Sequence, residues 1–84
     1  MVKRLADPIL ARVLDRRGTI SFRELQSLLG RRGFSLKRTK GSHFIYTHPD
    51  VNRALIVQPK RNEAKRYQLD QLRDMIVEFD LLGG

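Results

Sequence analysis

The chain carries only two imidazoles, His43 and His48, and the first follows a Gly-Ser pair in the run KGSHFIYTHPD, Lys40 to Asp50. An imidazole ordinarily titrates near neutral pH, so it can take up and return a proton under physiological conditions. Beside a ribose that capacity has a definite use. Removing the proton of a 2′-hydroxyl lets the oxygen attack the adjacent phosphorus, and general acid–base help of this kind contributes on the order of 10²–10⁴-fold. DNA lacks the hydroxyl and is not cut this way. Glycine at position 41 lets the backbone approach a phosphate closely, while Lys37, Arg38 and Lys40 could neutralise charge building on its oxygens. Ser42 could orient the group.

Each of these residues also has an ordinary reading. His43 taken alone is a surface residue of a strand, and His48, before Pro49, is a turn residue. A metal site from His43, His48 and Asp50 lacks a recognised ligand spacing, so neither a metal nor another cofactor is expected. Phe44 and Tyr46 suit cross-strand packing better than base stacking. Arg31-Arg32 and Lys65-Arg66 stand where helices end or begin, equally fitted to a solvated fringe and to phosphate contact.

The net charge of +8 is informative through its location. Ten lysines and arginines fall between Arg31 and Arg66 against Asp50 and Glu63 alone, which accounts for the whole surplus. Lys60, Lys65 and Arg66 thereby join Lys37, Arg38 and Lys40 as candidate phosphate contacts. Such a concentration attracts a polyanion through phosphate contact and counterion release. A membrane surface fits less well, because the basic residues do not oppose an apolar helical stripe. The opening MVKRLADPILARVL is broken by Asp7, Pro8 and Arg12, and no apolar run approaches the roughly 18 residues of a membrane span. With no cysteine in the chain, a reducing cytoplasm is the expected setting.

The elements that must position these residues are legible from periodicity. Asp7-Pro8 opens a short helix with Ile9, Leu10, Val13 and Leu14 at helical spacing, closing at Gly18. Ser21 to Glu24 forms a capping box for a second helix, with Phe22, Leu25, Leu28 and Leu29 on one face and Gly30 or Gly33 at its end. Beyond Gly33 the period becomes 2. Phe34 to Thr39 and His43 to Thr47 form a hairpin about a turn at Lys40-Gly41, and Ala54 to Gln58 is a third strand stopped by Pro59. Lys60 to Arg66 reads as a polar loop. Leu69, Leu72, Met75 or Ile76, Phe79 and Leu82 mark a last amphipathic helix.

The expected fold is therefore α+β: a three-stranded antiparallel sheet with two helices packed on one face, in the order α-β-β-β-α, plus an additional N-terminal helix. One domain of 84 residues is expected, with residues 1–19 as a helical extension and 20–82 as the core. Alternation puts His43 with Ile45 on one face, and Ser42, Phe44 and Tyr46 on the other. Either set could be the buried one, and His43 is expected partly open at the start of its strand.

In this order the residues resemble the HicA family of toxin ribonucleases, whose fold is similar to the double-stranded-RNA-binding domain. The resemblance runs from LLGRRGF (Leu28 to Phe34) through a basic strand into KGSHFIYTHPD, then to a strand ending in QPK (Gln58 to Lys60) and to KRYQLDQLRDMI (Lys65 to Ile76). Family members commonly carry a second histidine after Gly-Ser-His, where this sequence has Phe44. The resemblance implies a metal-independent endoribonuclease of a toxin–antitoxin system acting on single-stranded mRNA, with His43 as general acid and base and a HicB-type antitoxin as partner. Two other readings fit the same residues. One is a noncatalytic RNA-binding module of this fold, and the other is a protein-interaction domain with an acidic partner. A helix-turn-helix is disfavoured, because the strands separate the second helix from the last.

Overall fold

A serine hydroxyl begins the helical layer. In the computed structural model, which describes residues 7–16 and 18–81, the Ser21 hydroxyl accepts the Glu24 N–H at 3.0 Å and the Ser21 N–H donates to the Glu24 carboxylate at 2.9 Å. This reciprocal cap starts α2, Phe22–Arg31, and buries Phe22, Leu25, Leu28 and Leu29 on one face. Gly30 stays within the helix, and the chain leaves it through Gly33, whose φ is 94°.

The preceding helix α1, Pro8–Asp15, is capped by Asp7, whose carboxylate accepts from the N–H groups of Ile9 and Leu10. It ends before Gly18, with Arg16 in the left-handed region at φ 57°. Leu10 and Val13 are buried, with Ile9 and Leu14 packed against the same core. Ion pairs that fasten α1 and its ends to the other helices include Asp7 with Arg31, Arg12 with Glu24, and Arg16 with Asp70.

The strands β1, Ser35–Lys40, β2, His43–Thr47, and β3, Leu55–Val57, form an antiparallel sheet in the order β1-β2-β3. Lys40 pairs with His43, so the connecting residues are Gly41 and Ser42, with Gly41 at φ 61°. The register shifts between Leu36 and Arg38, which makes Lys37 the extra residue of a bulge. Tyr46, Leu55 and Val57 are buried and Phe44 packs against the core. That face is the one the helices cover.

The expected α+β architecture is the one observed, a three-stranded antiparallel sheet with three helices, compatible with a double-stranded-RNA-binding-domain-like fold. The first hairpin turns at Gly41-Ser42 and not at the expected Lys40-Gly41, because Lys40 stays paired with His43 as the last residue of β1, and two larger details also differ from the sequence reading. The segment expected as a polar loop contains a second small hairpin, β4, Pro59–Lys60, with β5, Glu63–Ala64. Its turn residues Arg61 and Asn62 both have positive φ, the geometry of a type I′ turn achieved without glycine. This hairpin docks on the start of α2, the Phe22 N–H donating to the Asn62 carbonyl at 2.8 Å and the Ala64 N–H to Ile20 at 3.1 Å. Strands of two residues are too short to show a period. The other difference is at the last helix, α3, Arg66–Glu78, which stops at Phe79. Asp80 turns left-handed and Leu81 folds back into the core, its N–H bonded to the Ile76 carbonyl. Both Met75 and Ile76 are buried. Leu82 lies outside the described residues.

Candidate active site

Because Phe44 and Tyr46 face the helices, His43 and Ile45 face away from them. His43 is exposed and, among the described residues, its side chain makes no hydrogen bond or ion pair. Residues directly opposite in an antiparallel pair lie on the same face, with Cβ atoms about 4.5–5.5 Å apart. Lys40 is opposite His43, and Arg38 is opposite Ile45 in the next row. The open face therefore carries an imidazole and two cations side by side, with Gly41 and Ser42 forming the turn above them.

Every residue of β1 is exposed, so Lys37, Arg38 and Lys40 meet solvent along the whole strand. The bulge removes Lys37 from the paired rows, and it contributes charge along the edge. Of the residues singled out for phosphate contact, this group of five lies with His43. The other three, Lys60, Lys65 and Arg66, do not join it on the sheet. They line a separate cleft of about 920 Å³ between the β4–β5 hairpin and the start of α3. One residue beyond the Phe44–Val57 pair, His43 and Gln58 stand at the same end of β2 and β3, and Gln58 also lines that cleft.

Arg61 and Tyr67 are further members of the cleft that the sequence reading did not single out. A signal for Tyr67 was present. It shares its side of α3 with Gln71, Asp74 and Glu78, away from the buried Leu69, Leu72 and Ile76. An aromatic residue out of phase with the apolar stripe is left in solvent, here 55% exposed.

The second histidine has a different situation. The Asp50 N–H donates to His48 Nδ1 at 2.9 Å, so Nε2 carries the ring hydrogen and donates to the Arg32 carbonyl, also at 2.9 Å. The ring is buried edge-on to Phe34, with centroids 4.9 Å apart. Gly33 makes this approach possible, since a Cβ there would stand 2.8 Å from Nε2. His48 thus pins the turn after β2 to the end of α2. With both nitrogens occupied it is not available as a metal ligand, and among the described residues no cluster of three or more His, Asp or Glu could hold a metal.

Phe44 and Tyr46 serve packing. Phe44 meets Phe22 edge-on at 5.0 Å, and the Tyr46 hydroxyl accepts from the Gln26 amide at 3.2 Å. A side chain at position 44 is therefore on the opposite sheet face from His43.

Residues 22–76 match the family model described as HicA toxin of bacterial toxin-antitoxin. The chain belongs to the HicA toxin family. No curated protein and no solved structure matches it. The match covers α2, the sheet, the β4–β5 hairpin and α3 up to Ile76, so α1 stands outside the part shared with the HicA family. Among the described residues no helix is long and apolar enough to cross a membrane. Membership makes the chain one half of a toxin–antitoxin pair.

Proposed function

We propose that this HicA-family toxin is an endoribonuclease that cleaves single-stranded mRNA without a metal, using His43 as general base and then general acid. The observation that carries the reading is an exposed, unpartnered imidazole on the open sheet face, directly opposite Lys40. In the first step His43 takes the proton of a ribose 2′-hydroxyl, the oxygen bonds to the adjacent phosphorus, and the bond from phosphorus to the 5′-oxygen breaks. The imidazolium then returns its proton to the departing 5′-oxygen, leaving a cyclic phosphate on the upstream fragment. Lys40 and Arg38 offset the charge on the non-bridging oxygens, and Lys37 holds the strand along the edge. Gly41 carries no Cβ and, with nothing near the position one would occupy, leaves the turn open to a phosphate.

The antitoxin in this reading is a HicB-type protein that covers the open face while bound. Its effect would be to exclude RNA from His43. The test uses purified protein and a labelled single-stranded RNA in EDTA. Cleavage is expected from the wild type and not from His43→Ala, with both proteins giving the same melting curve. Cleavage by His43→Ala at the wild-type rate removes the assignment, and salt-sensitive RNA binding without any turnover would leave a binding module.

A further inference from the structure

The cleft beside α3 has a composition that a simple fringe of solubilising charge does not need. Lys60, Arg61, Lys65 and Arg66 line it against Glu63 alone, and Tyr67, more than half exposed, is part of the wall. None of these four cations is in an ion pair among the described residues, in contrast to Arg12, Arg16, Arg31, Arg53 and Arg73, each of which meets a carboxylate. Arg66 instead donates to the Gly18 carbonyl at 2.6 Å, which fixes it at the cleft's edge.

Tyr67 is held rather than loose. Its hydroxyl accepts from the Gln68 amide at 3.2 Å, and the Gln68 side chain is buried, its own oxygen accepting the Gln58 N–H at 3.1 Å. The aromatic plane is thereby tied to the end of β3, close to the end of β2 that bears His43. A ring fixed in advance loses little freedom when a ligand stacks on it. Cations arranged around an exposed aromatic face suit a phosphate chain whose bases present flat π-surfaces. An acidic peptide would use the cations but has no need of the ring.

We propose that this cleft is a second nucleotide subsite, in which Tyr67 stacks a base of the same RNA strand whose scissile phosphate lies at His43, while Lys60, Lys65 and Arg66 hold its phosphates. The inference rests on the RNA reading above and adds to it a platform that grips the strand away from the cut. It assigns the substrate an unpaired segment long enough to reach from the open sheet face to α3, since a base inside a duplex cannot stack on a side chain.

The test measures binding to the full chain carrying His43→Ala, so that RNA survives, with two ligands of equal length and charge: a single-stranded RNA and its abasic counterpart. Adding Tyr67→Ala should weaken binding of the RNA by about 5- to 100-fold and leave the abasic strand unchanged, while Tyr67→Phe, which keeps the ring but loses the hydroxyl that the Gln68 amide holds, should fall between Tyr67→Ala and the parent. A 2-aminopurine placed along the RNA should be quenched on binding to the parent and not to Tyr67→Ala, with circular dichroism verifying that both are folded. Equal RNA affinity with and without the ring overturns the subsite while leaving the reading at His43 intact. Failure of the His43→Ala parent to bind any RNA overturns both, and tight binding of an acidic peptide that RNA cannot displace would assign the cleft to a protein partner instead.

Discussion

The two histidines stand at opposite ends of one strand and share nothing but their side chain. His43 opens β2 on the uncovered face, exposed and unpartnered, across from a lysine. His48 follows the end of the same strand with both ring nitrogens committed to backbone groups and its ring against Phe34. One presents an open ring to solvent, and the other is a structural tie. The difference arises from which sheet face the helices cover and from a glycine, Gly33, that leaves room for one imidazole to lie against the α2 exit.

The largest effect should come from His43→Ala, which is expected to lower the rate of RNA cleavage by about 10²–10⁴-fold while leaving the urea midpoint unchanged. A fall in stability that tracked the fall in rate would place both histidines in the same class and break the comparison. His48→Ala should do the reverse. Losing a buried ring with two hydrogen bonds should destabilise the fold by about 1–3 kcal/mol, while the rate per folded molecule stays near that of the wild type.

Gly33→Ala attacks the same tie from the other side. A Cβ at positive φ, 2.8 Å from the His48 ring nitrogen, should be destabilising by about 1–3 kcal/mol. Because both lesions break one contact, the double variant should be less destabilised than the two singles added together, and strict additivity in a double-mutant cycle would mean that Gly33 and His48 act separately. On the other side of the comparison, Lys40→Ala should weaken RNA binding and reduce the magnitude of the slope of log K against log salt by roughly 1. An unchanged slope would remove Lys40 from the phosphate contacts.

The smallest effect concerns the helical layer alone. Burial acts to raise the Asp7 pKa, but the hydrogen bond and charge of Arg31 and the N–H groups of Leu10 and Ile9 outweigh it, so the carboxyl is held below its ordinary value. Glu24 is also lowered, chiefly by the hydrogen bond from the Ser21 backbone, with Arg12 assisting against desolvation. A depressed carboxyl contributes stability that is complete above its unfolded value, about pH 4, and is lost as pH falls through the folded one. Melting curves between pH 6 and pH 2 should show this loss, and Asp7→Asn, which keeps the cap but not the charge, should reduce it. An identical acid dependence in that variant would discount the Asp7–Arg31 pair.

Much of this organisation was legible in the chain. The Asp7-Pro8 and Ser21–Glu24 caps are local signals read within a few residues, and the change of period after Gly33 separates helix from strand without reference to anything distant. The basic character of residues 31–66 and the Gly-Ser-His motif are likewise written in order, and the family match covers the same stretch. Alternation alone divided β2 into two sets of side chains, but it has a twofold ambiguity. Both Phe44 with Tyr46 and His43 with Ile45 could have faced inward, and the choice required the helices.

Local chemistry is a property of neighbours along the chain, and for this protein it was enough to specify the three helices, the three-stranded sheet, the charge and the candidate imidazole. Contacts between segments far apart in sequence are set by packing, where burial of a whole apolar face outweighs the preference of any one residue. Packing exposed His43, turned His48 into a tie to Arg32, made a hairpin from a polar loop by docking it on α2, and gathered Lys60, Lys65 and Arg66 around Tyr67, away from the cations of β1.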